Sequence, residues 1–303
     1  MRRHVSGLLI IGFALVSACG GTATDETGPT GEDGVRVASF DFAESELLAE
    51  LYAQALESAG LPVVRMGRAG PREVVAPAIE LDRIDLVPEY LGTALQFYGA
   101  TTTDPDPTTS AAALADRLAP RGLRALEPAA AQDANAVVVT RAFAAEYDLR
   151  MISDLADLAA DLRFGGPVEC PERPLCLVGL SEVYGLDFAE FIPQRSLPLT
   201  AEALHWGEID VGLLFTTSSE ADDDALVLLE DDRRLQPAEN VVPVARESAL
   251  ARWGPGVTAA LDRVSAALDT ADLREMNRAV SEGMAVADVA SAWLSNRGLL
   301  ASE

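Results

Sequence analysis

The sequence predicts an α/β protein built from layers around mostly parallel sheets. Short β-branched or apolar runs alternate with segments of helical apolar spacing along most of the chain. The run Ala136-Val137-Val138-Val139-Thr140 is apolar almost throughout, as expected of a strand covered on both faces. The roughly 270 residues after a polar N-terminal stretch are enough for two lobes or one large domain.

The chain opens with Met1-Arg2-Arg3, and the apolar stretch Gly7 to Leu15 is too short for a permanent bilayer helix. Val16-Ser17-Ala18 then places small residues before Cys19, the arrangement of a bacterial lipoprotein signal whose cysteine becomes the lipid-bearing first residue. The signal peptide is therefore expected at 1–18, and an ordinary secretory signal with an incidental cysteine is the alternative. After Cys19, the stretch to Gly34 is Gly, Thr, Asp, Glu and Pro with a single Ala and no large apolar residue, and residues 19–34 read as a flexible tether. The expected location is extracytoplasmic, lipid-anchored to the cell membrane, with the folded body starting near Val35.

Val35 to Ser39 reads as a strand, and Leu47, Leu48, Leu51, Tyr52, Ala55 and Leu56 form a helical stripe that Gly60 stops. Val63-Val64 is a second strand, Glu73 to Leu81 a helix, and Ile84 to Val87 a third strand ending at Pro88. A polar, proline-marked loop from Thr101 to Pro107 leads to an Ala-rich helix between Thr109 and Leu118. After the strand at Ala136, Ser153 is expected to cap a helix through Ala160. Leu162 to Phe164 is read as a strand and Leu177 to Tyr184 as a helix. Ile209 to Phe215, Leu226 to Leu229 and Val241 to Val244 are further strands, and from Glu247 onward the chain is almost wholly helical. No internal repeat is visible.

Composition excludes several function classes. The net charge of −25 repels nucleic acid and anionic lipid headgroups. Lysine is absent, which removes Schiff-base chemistry and the P-loop lysine. His205 is the only histidine beyond the signal, so zinc sites built on histidine and Ser-His-Asp hydrolysis are not expected. Cys170 and Cys176 are the only cysteines besides Cys19. In an exported chain, such a close pair reads most simply as a local disulfide that shapes a loop.

Four segments carry a family resemblance: Ser39-Phe40-Asp41-Phe42-Ala43-Glu44, Pro88-Glu89-Tyr90-Leu91-Gly92-Thr93, Gly207-Glu208-Ile209-Asp210-Val211 and Asn240-Val241-Val242-Pro243. With Val289 to Leu294 near the end, they occur in order and at familiar spacing. The chain resembles the substrate-binding proteins of osmoprotectant ABC transporters, whose solutes include glycine betaine, choline and carnitine. The resemblance implies the type II periplasmic-binding-protein fold: two α/β lobes with a ligand cleft between them. Lobe 1 would hold 35–134 and 241–303, and lobe 2 135–240.

The same resemblance implies a site. A quaternary ammonium donates no hydrogen bond and is held by aromatic faces, whereas a ligand carboxylate seeks arginine, hydroxyl or amide donors. Tyr90 matches a cage tyrosine and Thr93 its hydroxyl partner. Arg173 matches a carboxylate-binding arginine, and Phe215 stands where another cage tyrosine would be. Phe42 completes the aromatic set. Phe40 replaces a polar or basic residue of some relatives, while Asn135 and Glu239 replace two further cage tyrosines. Glu239 and Asp133 would then supply acidic contacts to a cationic head or to N–H donors.

The expected role is a lipid-anchored substrate-binding protein of an ABC importer for a glycine betaine- or choline-type solute. Its partners would be the solute, a permease subunit with its ATPase, and the membrane through the lipid alone. The protein is expected to be a monomer with no cofactor, no metal and no nucleic-acid partner. An extracellular ligand sensor on the same fold is the alternative. An enzyme would have little except carboxylates such as Glu44 and Glu89 to work with, and no activity is expected.

Overall fold

The computed structural model describes residues 34–100 and 104–300. The expected signal peptide, Cys19 and the expected tether as far as residue 33 lie outside the described residues. The first part of the body runs β1 (Val35–Ser39), α1 (Ala43–Ser58), β2 (Val63–Arg68), α2 (Arg72–Glu80), β3 (Leu86–Tyr90), α3 (Leu91–Phe97), α4 (Pro107–Leu118) and β4 (Leu123–Ala125). The middle part runs β5 (Asn135–Thr140), α5 (Arg141–Tyr147), β6 (Arg163–Gly166), α6 (Leu177–Tyr184), β7 (Glu190–Pro193), α7 (Leu197–Trp206), β8 (Val211–Phe215) and β9 (Leu226–Leu228). It closes with β10 (Val241–Arg246), α8 (Glu247–Trp253), α9 (Pro255–Ala267), α10 (Thr270–Ser281) and α11 (Val286–Asn296).

The strands form two five-stranded sheets, ordered β2-β1-β3-β10-β4 and β7-β6-β8-β5-β9. The order is the same in both: three parallel strands, then one strand antiparallel to both its neighbours. Half the pairings are therefore antiparallel, which corrects the expectation of mostly parallel sheets. The reason is topological, since β5 and β10 each enter their sheet directly from the other lobe. Each sheet is covered on both faces. One side of the first packs on α1, α9 and the last two helices, and the other on α2, α3 and α4. The second sheet is enclosed by α6 with the cysteine loop on one side and by α7 on the other. The result is two α/β lobes of the periplasmic-binding type.

Two linkers join the lobes, one from β4 to β5 and one from β9 to β10, and they pair side by side. Ala129 N–H donates to Val241 O (2.8 Å), Val241 N–H to Ala131 O (2.9 Å) and Asp133 N–H to Glu239 O (3.1 Å), with an antiparallel bridge between Gln132 and Asn240.

Three sequence expectations need correction. The third strand does not end at Pro88 but continues to Tyr90, with Pro88 opposite Pro243. Pro243 turns its carbonyl away from β3, accepting from Leu126 N–H (2.9 Å), so the two prolines face each other where the ladder has no hydrogen bond to lose. The helix expected from Ser153 to Ala160 is instead two 3₁₀ turns, Ile152–Leu155 and Ala159–Asp161. Asp154, not Ser153, receives the free N–H groups there, from Arg150 and Met151 (both 2.9 Å). The short elements α3, β4, α5, β7 and α7 had no sequence assignment. Cys170 and Cys176 are disulfide-bonded, with Cα atoms 5.3 Å apart.

Candidate functional site

The cleft between the lobes contains a cavity of about 430 Å³, and all eight residues singled out from sequence line it. Lobe 1 contributes from two strand-to-helix junctions. Phe42 immediately precedes α1, in extended backbone (φ −149°), and its ring is 41% exposed toward the cleft. It lies between Phe40 and Tyr90, with ring centroids 6.1 and 6.2 Å away. Tyr90 ends β3 and is buried, its hydroxyl donating to Glu44 (2.6 Å). Thr93 follows in the first turn of α3.

The start of α3 is held by the second linker. Leu91 N–H donates to Asn240 O (3.1 Å) and Gly92 N–H to Ala238 O (2.9 Å). The Glu239 carboxylate accepts from Thr93 N–H (3.2 Å) and from Thr93 Oγ1 (2.7 Å). Three helix-terminal donors are satisfied by three consecutive linker residues. The approach is close enough that a Cβ on Gly92 would sit 2.7 Å from Pro237 and 3.0 Å from Glu239 Oε1. Thr93, expected to offer its hydroxyl to a ligand, has committed that proton to Glu239.

Lobe 2 contributes three elements. Asn135 opens β5 directly opposite Phe215, the last residue of β8. The Asn135 amide donates to Leu175 O (3.0 Å) and Gln236 Oε1 (3.3 Å), tying the strand to the cysteine loop. That loop carries Arg173, Pro174 and Leu175 to the cavity wall, and a Cβ on Gly179 of α6 would lie 2.1 Å from Pro174 O. Arg173 is exposed at the rim, and its guanidinium has no hydrogen-bond or ion-pair partner among the described residues. Asp133, in the first linker, accepts from Thr217 Oγ1 (2.8 Å).

The cleft floor is acidic. Burial is the main influence raising the carboxyl pKa of Glu44, Asp133 and Glu239, and the nearby Glu44 charge pushes Asp133 higher still. Glu239 is pushed up to about 7, against the opposing pull of its Thr93 hydrogen bonds and of Arg72. Glu89 is also raised by burial, but its charge is matched by Arg72, Nη2 to Oε2 2.9 Å. Glu44 and Glu89 therefore hold different partners: Tyr90 and Asn277 for the first, Arg72 for the second.

Arg72, Gln96 and Gln236 also line the cavity and were not singled out from sequence. Arg72 had a readable signal: it is the first residue of α2, where a cation opposes the helix dipole. Glu89 and the face of Phe40, 4.8 Å from the guanidinium, account for its placement. Phe40, a departure from some relatives, thus serves as a buried platform rather than a ligand contact.

The arrangement offers a cation three aromatic side chains and an excess of carboxylate, with one unpaired guanidinium at the edge. No group of His, Cys, Asp or Glu among the described residues has the grouping needed to hold a metal ion.

The profile of the OpuAC family, the substrate-binding domain of ABC-type glycine betaine transport systems, matches residues 33–296. The chain belongs to this family. Among curated relatives, the glycine betaine-binding protein YehZ of Escherichia coli (strain K12) is 27% identical over 281 residues, 87% of this chain and 90% of YehZ. A glycine betaine/carnitine/choline ABC transporter crystal structure superposes with a TM-score of 0.80 at 21% identity, covering 88% of this chain and 99% of that one. Lactococcal OpuAC, closed on glycine betaine, gives 0.58 at 16% identity, covering 87% and 96%. These structures share the two-lobed fold. OpuAC membership makes this chain a substrate-binding protein of a glycine betaine-type ABC transport system. No helix among its described residues is long and apolar enough to cross a membrane.

Proposed function

We propose that this OpuAC-family protein is the lipid-anchored, extracytoplasmic receptor of an ABC importer, and that its cleft takes a small quaternary ammonium or related cationic solute. The observation that carries this reading is the convergence of Phe42, Tyr90 and Phe215 on a cavity lined by the carboxyl groups of Asp133 and Glu239, with Glu44 behind the Tyr90 hydroxyl. A methylated cation needs ring faces and negative potential but no hydrogen-bond acceptor. Arg173 would receive the carboxylate of a betaine, and Asn135 a polar arm. The lobes, 35–134 with 241–303 and 135–240, would close on the solute and present it to a permease driven by an ATPase.

Calorimetry with choline and glycine betaine tests the site. Phe42→Ala should weaken both by roughly tenfold, between the contributions of an exposed and of a desolvated cation–π contact. Arg173→Ala should weaken glycine betaine while leaving choline, which has no carboxylate, nearly unchanged. Equal effects on the two solutes would remove Arg173 from the site, and unchanged binding in both variants would overturn the assignment.

A further inference from the structure

The cavity does not end at its aromatic side chains. A second space of about 570 Å³ opens beyond Phe42 and Phe215 and shares both rings and Asp133 with the first. It is a crevice between the lobes. Leu197 and Pro198 at the start of α7 face Val280 and Ser281 at the end of α10, and Asn277 stands at its inner end. Asn277 is fixed there by donating to Glu44 and to Thr217 O (3.1 Å). Its charged lining is Glu44, Asp133 and Glu220, without a cation.

A trimethylated glycine would occupy a small part of either space, and the two together lie in the range that buries a drug-sized ligand. We infer that the cleft accepts ammonium solutes with an uncharged arm, the cationic head between the aromatic rings and an alkyl or O-acyl chain in the crevice past Phe42 and Phe215. The inference rests on the proposed cation site and specifies what lies beyond it. An anionic arm would meet acidic side chains and no cation in the crevice and would turn instead toward Arg173. The apolar side chains of Leu197, Pro198 and Val280 favour a chain with methylene groups, each adding apolar area removed from water.

Binding of choline, acetylcholine and butyrylcholine to the full folded body tests this. Affinity is expected to hold or rise along the series, by up to several fold per added pair of methylenes. Ser281→Phe, at an exposed position on the crevice wall, should leave choline unchanged and weaken butyrylcholine at least fivefold. Leu197→Ala, which widens the crevice, should reduce the gain from the longer chain. Choline binding with the esters more than tenfold weaker would overturn the crevice assignment while leaving the cation site standing. Ester binding insensitive to both variants would overturn it equally. Failure of all three ligands to bind would remove both readings.

Discussion

Glu239 shows how a single buried carboxylate can tune a receptor. Burial pushes its pKa up to about 7, so the carboxyl titrates around neutral pH. A cation in the adjacent cavity favours the charged form, so binding should expel a proton. Choline affinity is therefore expected to rise as pH climbs toward 7 and to level off above it. Glu239→Gln should flatten that dependence, measured by calorimetry in buffers of different ionisation enthalpy. Stability of the empty protein runs the other way. The folded state holds this proton more tightly than the unfolded chain, so the contribution is full below about 4.5 and is lost as pH rises through 7. Thermal melts of wild type and Glu239→Gln should converge in acid and separate toward neutral pH, with the Gln variant melting higher. Phe42 is the cleaner aromatic probe, because it is partly exposed, whereas Tyr90 is buried in the lobe 1 core and its truncation would leave a cavity.

At the scale of elements, α3 is the piece that ties the site to the hinge. Its seven residues are too few to form a stable helix alone. The linker residues 238–240 cap it, and Gly92 permits their approach. Gly92→Ala places a methyl group within 2.7 Å of the Pro237 ring, so the linker must move. We expect a loss of about 1–3 kcal/mol in unfolding free energy, comparable to overpacking a core. Solute affinity should fall as well, because Thr93 and Glu239 lose register. Urea denaturation with parallel calorimetry would check both. A variant as stable as wild type would mean that the linker has slack which this geometry does not suggest.

For the whole molecule, the two paired linkers are the only covalent connections between the lobes' sheets among the described residues, and the cleft cavity lies beside them. Helix α10 adds a non-covalent bridge. Arg274 and Arg278 reach Asp222 in the β8–β9 connection, and Arg274 Nε donates to Thr216 O (2.9 Å). Such a body is built to hinge. Small-angle scattering should show a smaller radius of gyration with saturating solute than without, and no change would count against cleft closure. The proposed lipid anchor belongs to the same scale. Cys19→Ser should release the protein from membranes or leave it unprocessed, read by fractionation and N-terminal sequencing. Wild-type protein found free with a first residue beyond 19 would overturn the anchor.

Periodicity was enough to determine the α/β alternation, the apolar β5 core strand and the helix from Leu177 to Tyr184, whereas the eight residues that line the cleft cavity came from the family resemblance carried by the ordered motifs. These are local signals or ordered motifs, written in consecutive side chains. Other features depended on partners distant in the chain. The antiparallel entry of β5 and β10 and the tolerance of Pro88 opposite Pro243 follow from which strands become neighbours. Arg72 could be placed only once Glu89, 17 positions away, was beside it. The commitment of Thr93 to Glu239 spans 146 positions. The acidity of the floor arises because folding removes Glu44, Asp133 and Glu239 from water together, and burial, which no single residue carries in its identity, is what moves their proton affinities.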